Sequence, residues 1–442
     1  MMIMRLLHTA LALTAVLSSA AICQAAEVAS PACKAVQALV PIQPGLCADL
    51  CCGEGQLLCE LAGATPWVIH AVEPDPARAE QASKHVVARG HWGRVTVDAS
   101  APAQLPFADG IVNVVIIEDW PRAAAAGLTG KEIQRALTPD GVALVRWPDP
   151  AAKLGLADEK WGEMKAADGW VRLRKARDPA LGEWPQWLHG PDLNFRNDDT
   201  VVAPGRHLRF RNRPWFDNAA PETMNNVYVG GGRFYYFQND WIPGETRNYL
   251  RAMRWYLIAR DAYNGALLWR VSVGRPFQRM FAADGDRVFA AIDGTLSCLD
   301  ATNGKVVRTY DASRYLADRG RAAGGLLLLY SDGILLLRQS PAKPCSNYNA
   351  IRAEDDKLLW SLPGQNAVIS EGRTFLDTPE AVVCVNLRSG AELWKVPQDR
   401  LPRSLGKEEK GEEKGSGEEK GGRKGRKKRG QERMALPFVS AY

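Results

Sequence analysis

The chain is 442 residues long, 46 % of them hydrophobic, with a formal net charge of +6. That length can bury two or three cores at roughly 100–200 residues per domain. Residues 407–433 hold eleven Lys and Arg against seven Glu, and the rest shows no basic stripe interleaved with aromatics, so the folded part is not read as a nucleic-acid binder.

In chain order, Arg5 is followed by an uncharged apolar segment, Leu6 to Ile22, and then Cys23-Gln24-Ala25. Small residues stand where a signal peptidase reads. This predicts a signal peptide over residues 1–25 and export to the periplasm or cell envelope. The other reading is an uncleaved membrane anchor, because a 17-residue apolar segment is near the lower limit for a span. No later segment is expected to cross a membrane.

Leu46-Cys47-Ala48, Asp49-Leu50-Cys51-Cys52-Gly53-Glu54-Gly55 and Leu57 to Ala62 read as strand, glycine loop and helix. A second strand, Trp67 to Val72, ends in Glu73, 18 residues after Gly55. A glycine loop after a first strand lets a ligand lie against the backbone, and an acid ending the second can take both hydroxyls of a ribose. An adenosine-containing cofactor is expected. Leu58 stands where a dinucleotide site wants its third glycine, and no phosphate-cradling lysine follows. Asp49 would repel a pyrophosphate and suits a cationic ligand. The plain structural reading is a strand-to-helix turn with Gly53 and Gly55, and Glu73 capping the next helix beside Pro74.

This stretch resembles the class I S-adenosylmethionine-dependent methyltransferases, with Cys51 where the family's first glycine usually stands. The likeness continues through Val95-Thr96-Val97-Asp98-Ala99 and Leu105-Pro106-Phe107-Ala108-Asp109. It includes the apolar strand Ile111 to Ile117, where Asn113 replaces a frequent aspartate, and Lys131 to Gly141 before the strand Val142 to Val145. It implies an α/β doubly wound, Rossmann-like sheet over residues 27–150 with S-adenosylmethionine as cofactor. The cofactor residues it implies are Asp49, Cys51, Gly53, Gly55, Glu73, Asp98 at the adenine, Ala99 and Glu118. Glu118 and Asp119 end the fourth strand, where open sheets place ligands, although a solvated turn fits them equally. No catalytic residue is assigned. Methyl transfer proceeds largely by positioning.

Cys33, Cys47, Cys51, Cys52 and Cys59 crowd this domain and match no zinc spacing, so no metal is expected and most read as buried apolar residues. One disulfide, for example Cys33–Cys59, would suit an exported protein. Residues 151–182 are expected to be a helical or irregular connector.

From residue 183 four segments repeat: Asp261-Ala262-Tyr263-Asn264-Gly265 to Trp269, Asp300-Ala301-Thr302-Asn303-Gly304, Ala353-Glu354-Asp355-Asp356 to Trp360, and Asn386-Leu387-Arg388-Ser389-Gly390 to Trp394. Their turn positions lie 39, 52 and 34 residues apart. Such a period with several strands per unit indicates an all-β propeller, possibly incomplete, over residues 183–400. Asn-Gly signals tight hairpins, because both residues tolerate positive φ. The pattern, together with Glu183-Trp184-Pro185-Gln186-Trp187, resembles the PQQ-like (quinoprotein-like) repeat. The domain order resembles multidomain proteins of planctomycete-type bacteria. The quinone itself is not expected: quinoprotein dehydrogenases pair such repeats with a disulfide of adjacent cysteines, and here the propeller cysteines Cys298, Cys345 and Cys384 are isolated. His189 and His207 are read as ordinary loop histidines. Residues 401–442, a Lys/Glu/Gly run, are expected to be disordered.

The expected function is methyl transfer to an unidentified small molecule, glycan or protein, with the propeller binding substrate or partner. The competing reading is a non-catalytic envelope scaffold whose methyltransferase site has decayed.

Overall fold

The computed structural model of the protein describes residues 29–147, 156, 161–167, 169–197, 199–201, 227–241, 253–273, 281–292, 295–311, 328–338 and 345–401. The predicted signal peptide, His207 and the charged tail after residue 401 lie outside these.

The first domain runs α1 (Pro31–Leu39), β1 (Leu46–Leu50), α2 (Gln56–Ala64), β2 (Val68–Glu73), α3 (Pro76–Ala88), β3 (Val95–Ala99), β4 (Val112–Ile117), α4 (Trp120–Ala125), α5 (Gly130–Ala136) and β5 (Leu137–Arg146). A final hairpin, β6 (Glu163–Ala167) and β7 (Trp170–Arg174), follows. The sheet order is β3-β2-β1-β4-β5-β7-β6. Its first five strands are parallel, and β7 is antiparallel to both β5 and β6.

The two central strands, β1 and β4, are apolar apart from Asp49 and Asn113, because helices cover both faces. On one face Ile69 and Ile116 pack with Val36, Leu58 and Leu61. On the other Leu50, Val115 and Ile117 pack with Ala123 and Ile133. The order reverses between β1 and β4, so the loops after these strands face one crevice.

Residues 151–182 are not a helical or irregular connector where they are described. They supply β6 and β7, and Trp170, Val171 and Leu173 are buried in the sheet's two cores. The short alternation of Trp170-Val171-Arg172-Leu173 was readable as a strand only once a free sheet edge at β5 was known. The next helix after Glu73 begins at Pro76, and Asp75 caps it by accepting from the N–H groups of Ala77 and Arg78.

Among the described residues the second domain is four antiparallel four-stranded sheets. Blade 1 is β8 (Val227–Gly230), β9 (Arg233–Trp241), β10 (Met253–Asp261) and β11 (Leu267–Val273). Blade 2 is β12 (Phe281–Asp284), β13 (Arg287–Ile292), β14 (Thr295–Asp300) and β15 (Val306–Thr309). Blade 3 is β16 (Leu328–Ser331), β17 (Ile334–Arg338), β18 (Ser346–Arg352) and β19 (Lys357–Gly364). Blade 4 is β20 (Asn366–Ser370), β21 (Arg373–Asp377), β22 (Ala381–Asn386) and β23 (Glu392–Pro397).

Each repeat turn joins the third and fourth strands of its blade. The turns are not two-residue hairpins with two positive φ angles. The N–H of the fifth residue donates to the carbonyl of the first, as from Gly265 to Asp261 at 3.0 Å and from Gly390 to Asn386 at 2.8 Å. Only that fifth residue is left-handed: Gly265, Gly304, Asp356 and Gly390 have φ of 74°, 71°, 60° and 68°. Asp356 therefore keeps the turn although it lacks glycine's freedom.

The segment from residue 184 to 191 crosses all four blades. Trp184 pairs with Val229 of blade 1, and Gln186 bridges to Ala282 of blade 2. The Gln186 side chain donates to Tyr330 O at 2.7 Å and accepts from Tyr330 N at 2.8 Å in blade 3. Pro191 O accepts from Ile369 N at 2.8 Å in blade 4. One strap thus satisfies first-strand groups that an open fan of blades would leave unpaired.

The domains meet through Asn113. Its carbonyl accepts from Leu46 N at 2.8 Å and from Asn264 Nδ2 at 2.7 Å, and its Nδ2 donates to Asp261 at 2.8 Å. The departure from aspartate at this position is thereby explained. A carboxylate could not donate to Asp261, and would face it as a like charge.

Candidate cofactor site

The glycine loop leaves β1 at its carboxyl end. Cys51 takes φ 60°, Gly53 62° and Gly55 83°. Cys51 thus keeps the left-handed backbone of the glycine it replaces, at a cost of about 1 kcal/mol. A Cβ on Gly55 would lie 3.0 Å from Ala82 Cβ, so glycine there lets α3 close on the loop. A Cβ on Gly53 meets nothing within 4 Å, so its requirement is conformational and the space beside it is open.

Asp49 is the unusual group. It is fully buried, and neither carboxylate oxygen has a hydrogen-bond partner among the described residues. Burial first, then the charges of Glu118 and Glu73, push its pKa well above the ordinary carboxylate range. An orphaned buried carboxyl is costly unless something pairs with it. A cationic ligand at the loop would supply that partner.

Glu73 is also fully buried, but it is satisfied. Its carboxylate accepts from Gly53 N at 2.9 Å and Asp75 N at 3.0 Å, tying the loop to the end of β2. Its remaining capacity goes to a two-pronged ion pair with Arg122 of α4. The side chain expected to take a ribose is therefore held by an arginine. The pairing raises the Arg122 pKa and keeps the guanidinium charged. Sequence reasoning missed Arg122. Its only trace was a lone cation three residues after Asp119, which caps α4 by accepting from Arg122 N at 3.1 Å.

Asp98 and Ala99 lie beside the site, paired in register with Val72 and Glu73. Asp98 is half-exposed and lies 3.1 Å from His70 Nε2. Glu118 lies at the end of β4, its pKa raised by burial against the opposing pull of Arg146. The Cys51 thiol is pushed up to about 11 by burial, and Cys52 is raised further. Neither is a thiolate near neutral pH, so neither is a nucleophile. The eight described cysteines are unbridged, Cys33 and Cys59 included. No group of three potential metal ligands occurs among the described residues.

A cavity of about 460 Å³ opens between α1 and the end of β5, lined by Lys34, Ala35, Ala38, Arg146, Trp170 and their neighbours. No sequence motif marked it, because α1, β5 and β7 meet only in the fold.

Residues 47–141 match a family model described as a methyltransferase domain. Residues 256–411 match one described as outer membrane protein assembly factor BamB. Among solved structures, a protein assigned to the S-adenosyl-L-methionine-dependent methyltransferases from Methanococcus maripaludis is similar at 15 % identity, over 34 % of this chain and 86 % of that one, with a TM-score of 0.29. A SAM-dependent methyltransferase from Aquifex aeolicus is similar at 14 % identity, over 34 % and 96 %, with a TM-score of 0.28. One from Thiobacillus denitrificans, in complex with S-adenosyl-L-homocysteine, is similar at 23 % identity, over 27 % and 51 %, with a TM-score of 0.24. No curated protein matches the chain. The protein joins a domain of the methyltransferase family to a PQQ-like repeat domain in one polypeptide.

Proposed function

We propose that the first domain binds S-adenosylmethionine at the loop Asp49–Gly55 and transfers its methyl group to an acceptor held beside the carboxyl ends of β4 and β5. The observation that carries this reading is Asp49, a fully buried carboxyl with both oxygens unpartnered among the described residues, beside an open glycine loop. A ligand with an ammonium and a sulfonium matches it, and a pyrophosphate does not.

When bound, the cofactor supplies an electrophilic methyl group. Asp49 would neutralise the cationic end, and the left-handed Gly53 and Gly55 would let the ligand approach the backbone. Glu73 would take the ribose only after releasing Arg122. The cavity with Lys34, Arg146 and Trp170 would hold an acceptor that carries negative charge beside an apolar body. No group is placed as a general base, and positioning supplies the rate.

The second reading is a non-catalytic scaffold, favoured by one observation: Arg122 fills the carboxylate that the ribose needs. Export from the cytosol, proposed from residues 1–25, points the same way, since the cofactor is made inside the cell. Mass spectrometry of the mature N-terminus tests the export proposal, and a chain that begins at Met1 and is protected from external protease refutes it. Calorimetric titration of the full chain with S-adenosylmethionine decides between the readings. Saturable binding that is lost in Asp49→Asn supports the methyltransferase. No binding at millimolar cofactor supports the scaffold.

A further inference from the structure

Each of the first three blades ends on an aromatic side chain that reaches the next blade. Trp269 Nε1 donates to Ala301 O at 2.8 Å, Tyr310 Oη to Ala353 O at 2.7 Å, and Trp360 Nε1 to Leu387 O at 2.7 Å. The three acceptors occupy one position, the second residue of the repeat turn. Rows of register partners back these contacts. Trp269, Ala259, Tyr235 and Tyr228 form one row and bury against blade 2. Trp360, Ala350, Leu336 and Leu329 form another and bury against blade 4.

The series has two loose ends. In blade 4 the same row is Trp394, Cys384, Phe375 and Val368. No blade covers it among the described residues. Trp394 is 43 % exposed, against 6 % for Trp269 and 8 % for Trp360. Its ring contact is with Phe375 of its own blade, at 5.8 Å. Blade 1 carries the matching turn position at Ala262. The methyltransferase domain holds Asp261 and Asn264 of that turn through their side chains, and the Ala262 carbonyl accepts no hydrogen bond among the described residues. Val227, on the blade 1 face away from blade 2, is 45 % exposed.

One donor and one acceptor of the same junction, unused among the described residues, thus stand at opposite ends of one fan. We propose that they meet between chains: blade 4 of one copy packs on blade 1 of a second copy, with the Trp394 indole donating to the Ala262 carbonyl. The contact continues an interface the fold already uses three times, which is why the occupant is a blade. It is head-to-tail, so two copies can close one ring containing the blades of both, within the blade numbers closed propellers use. It also removes the exposed Trp394 ring and the partly buried Phe375 and Val368 beside it from water.

Sedimentation velocity of the full chain, with circular dichroism as a fold check, tests this. The wild type is expected to self-associate at micromolar concentration. Trp394→Ala and Val227→Arg, both at exposed positions, should each weaken association at least about thirtyfold, as loss of an aromatic hot spot does. Trp394→Tyr should retain it, since Tyr310 makes the same contact through a hydroxyl. Mixing the two weakening variants should restore a dimer through the one intact junction. A monomeric wild type overturns the proposal, as does association that neither variant changes. Loss through Trp394 alone, with Val227→Arg silent, also overturns it and indicates pairing of two blade 4 faces.

Discussion

The guanidinium of Arg122 grips both carboxylate oxygens of Glu73, a side chain with no exposure to solvent, while the same carboxylate holds the Gly53 and Asp75 amides. The pair joins the start of α4 to the end of β2 across the crevice. Any ligand that needs Glu73 must compete with it.

Arg122→Ala should therefore tighten binding of S-adenosylmethionine. A charge-assisted hydrogen bond contributes about 1.5–3 kcal/mol, so the expected gain is about ten- to a hundredfold, and Glu73→Ala should lose a similar factor. Calorimetric titration of both variants is the check. If Arg122→Ala binds no better than wild type, Glu73 is not the ribose group.

Asp49 predicts a trade of stability against binding. Its pKa is raised in the folded state, so the folded protein prefers the neutral form. Its contribution is intact below the ordinary carboxylate range and is lost as pH rises through the raised value. Asp49→Asn should then melt higher than wild type at pH above neutrality without cofactor. It should also bind a cationic cofactor about ten- to a hundredfold more weakly. Wild-type affinity should rise with pH and release a proton, and the variant's should not. Melting curves and titrations in buffers of different ionisation heat measure both effects. A variant that is less stable and binds normally would remove Asp49 from the site.

Asn113 links the domains, so Asn113→Asp should uncouple them. It replaces a donor to Asp261 with a like charge and leaves buried groups unpaired, at a cost of about 1–3 kcal/mol. Differential scanning calorimetry should resolve two transitions where the wild type shows closer coupling. An unchanged profile would mean that the Asn113 contacts do not couple the domains.

The repeat tryptophans are not equivalent. Trp269 and Trp360 are buried against the turn glycines of the next blade, where a Cβ would lie 2.7 Å from Trp269 and 2.6 Å from Trp360. Each should cost about 3–5 kcal/mol when cut to alanine. Trp394→Ala, at an exposed end, should cost the folded monomer only about 0.5 kcal/mol. Chemical denaturation of the three variants checks this, and equal losses would mean that blade 4 has a covering blade.

By itself the sequence determined the local elements and their order. The apolar runs at Leu46–Leu50 and Val112–Ile117, the glycines at 53 and 55, and the repeat turns each follow from short-range rules, because period, turn chemistry and backbone freedom act within a few residues. Asp49 and Glu73 were legible as site acids for the same reason. What those acids pair with was not. Arg122 on Glu73, the orphaned state of Asp49, the Asn113–Asp261 link and the strap of Gln186 across the blades all join residues separated by dozens to more than a hundred positions. The β6–β7 hairpin and the exposure of Trp394 likewise depend on which sheet edge or face is left free. Only the tertiary structure decides these, because pairing, desolvation and burial are properties of the neighbours a residue acquires in the fold.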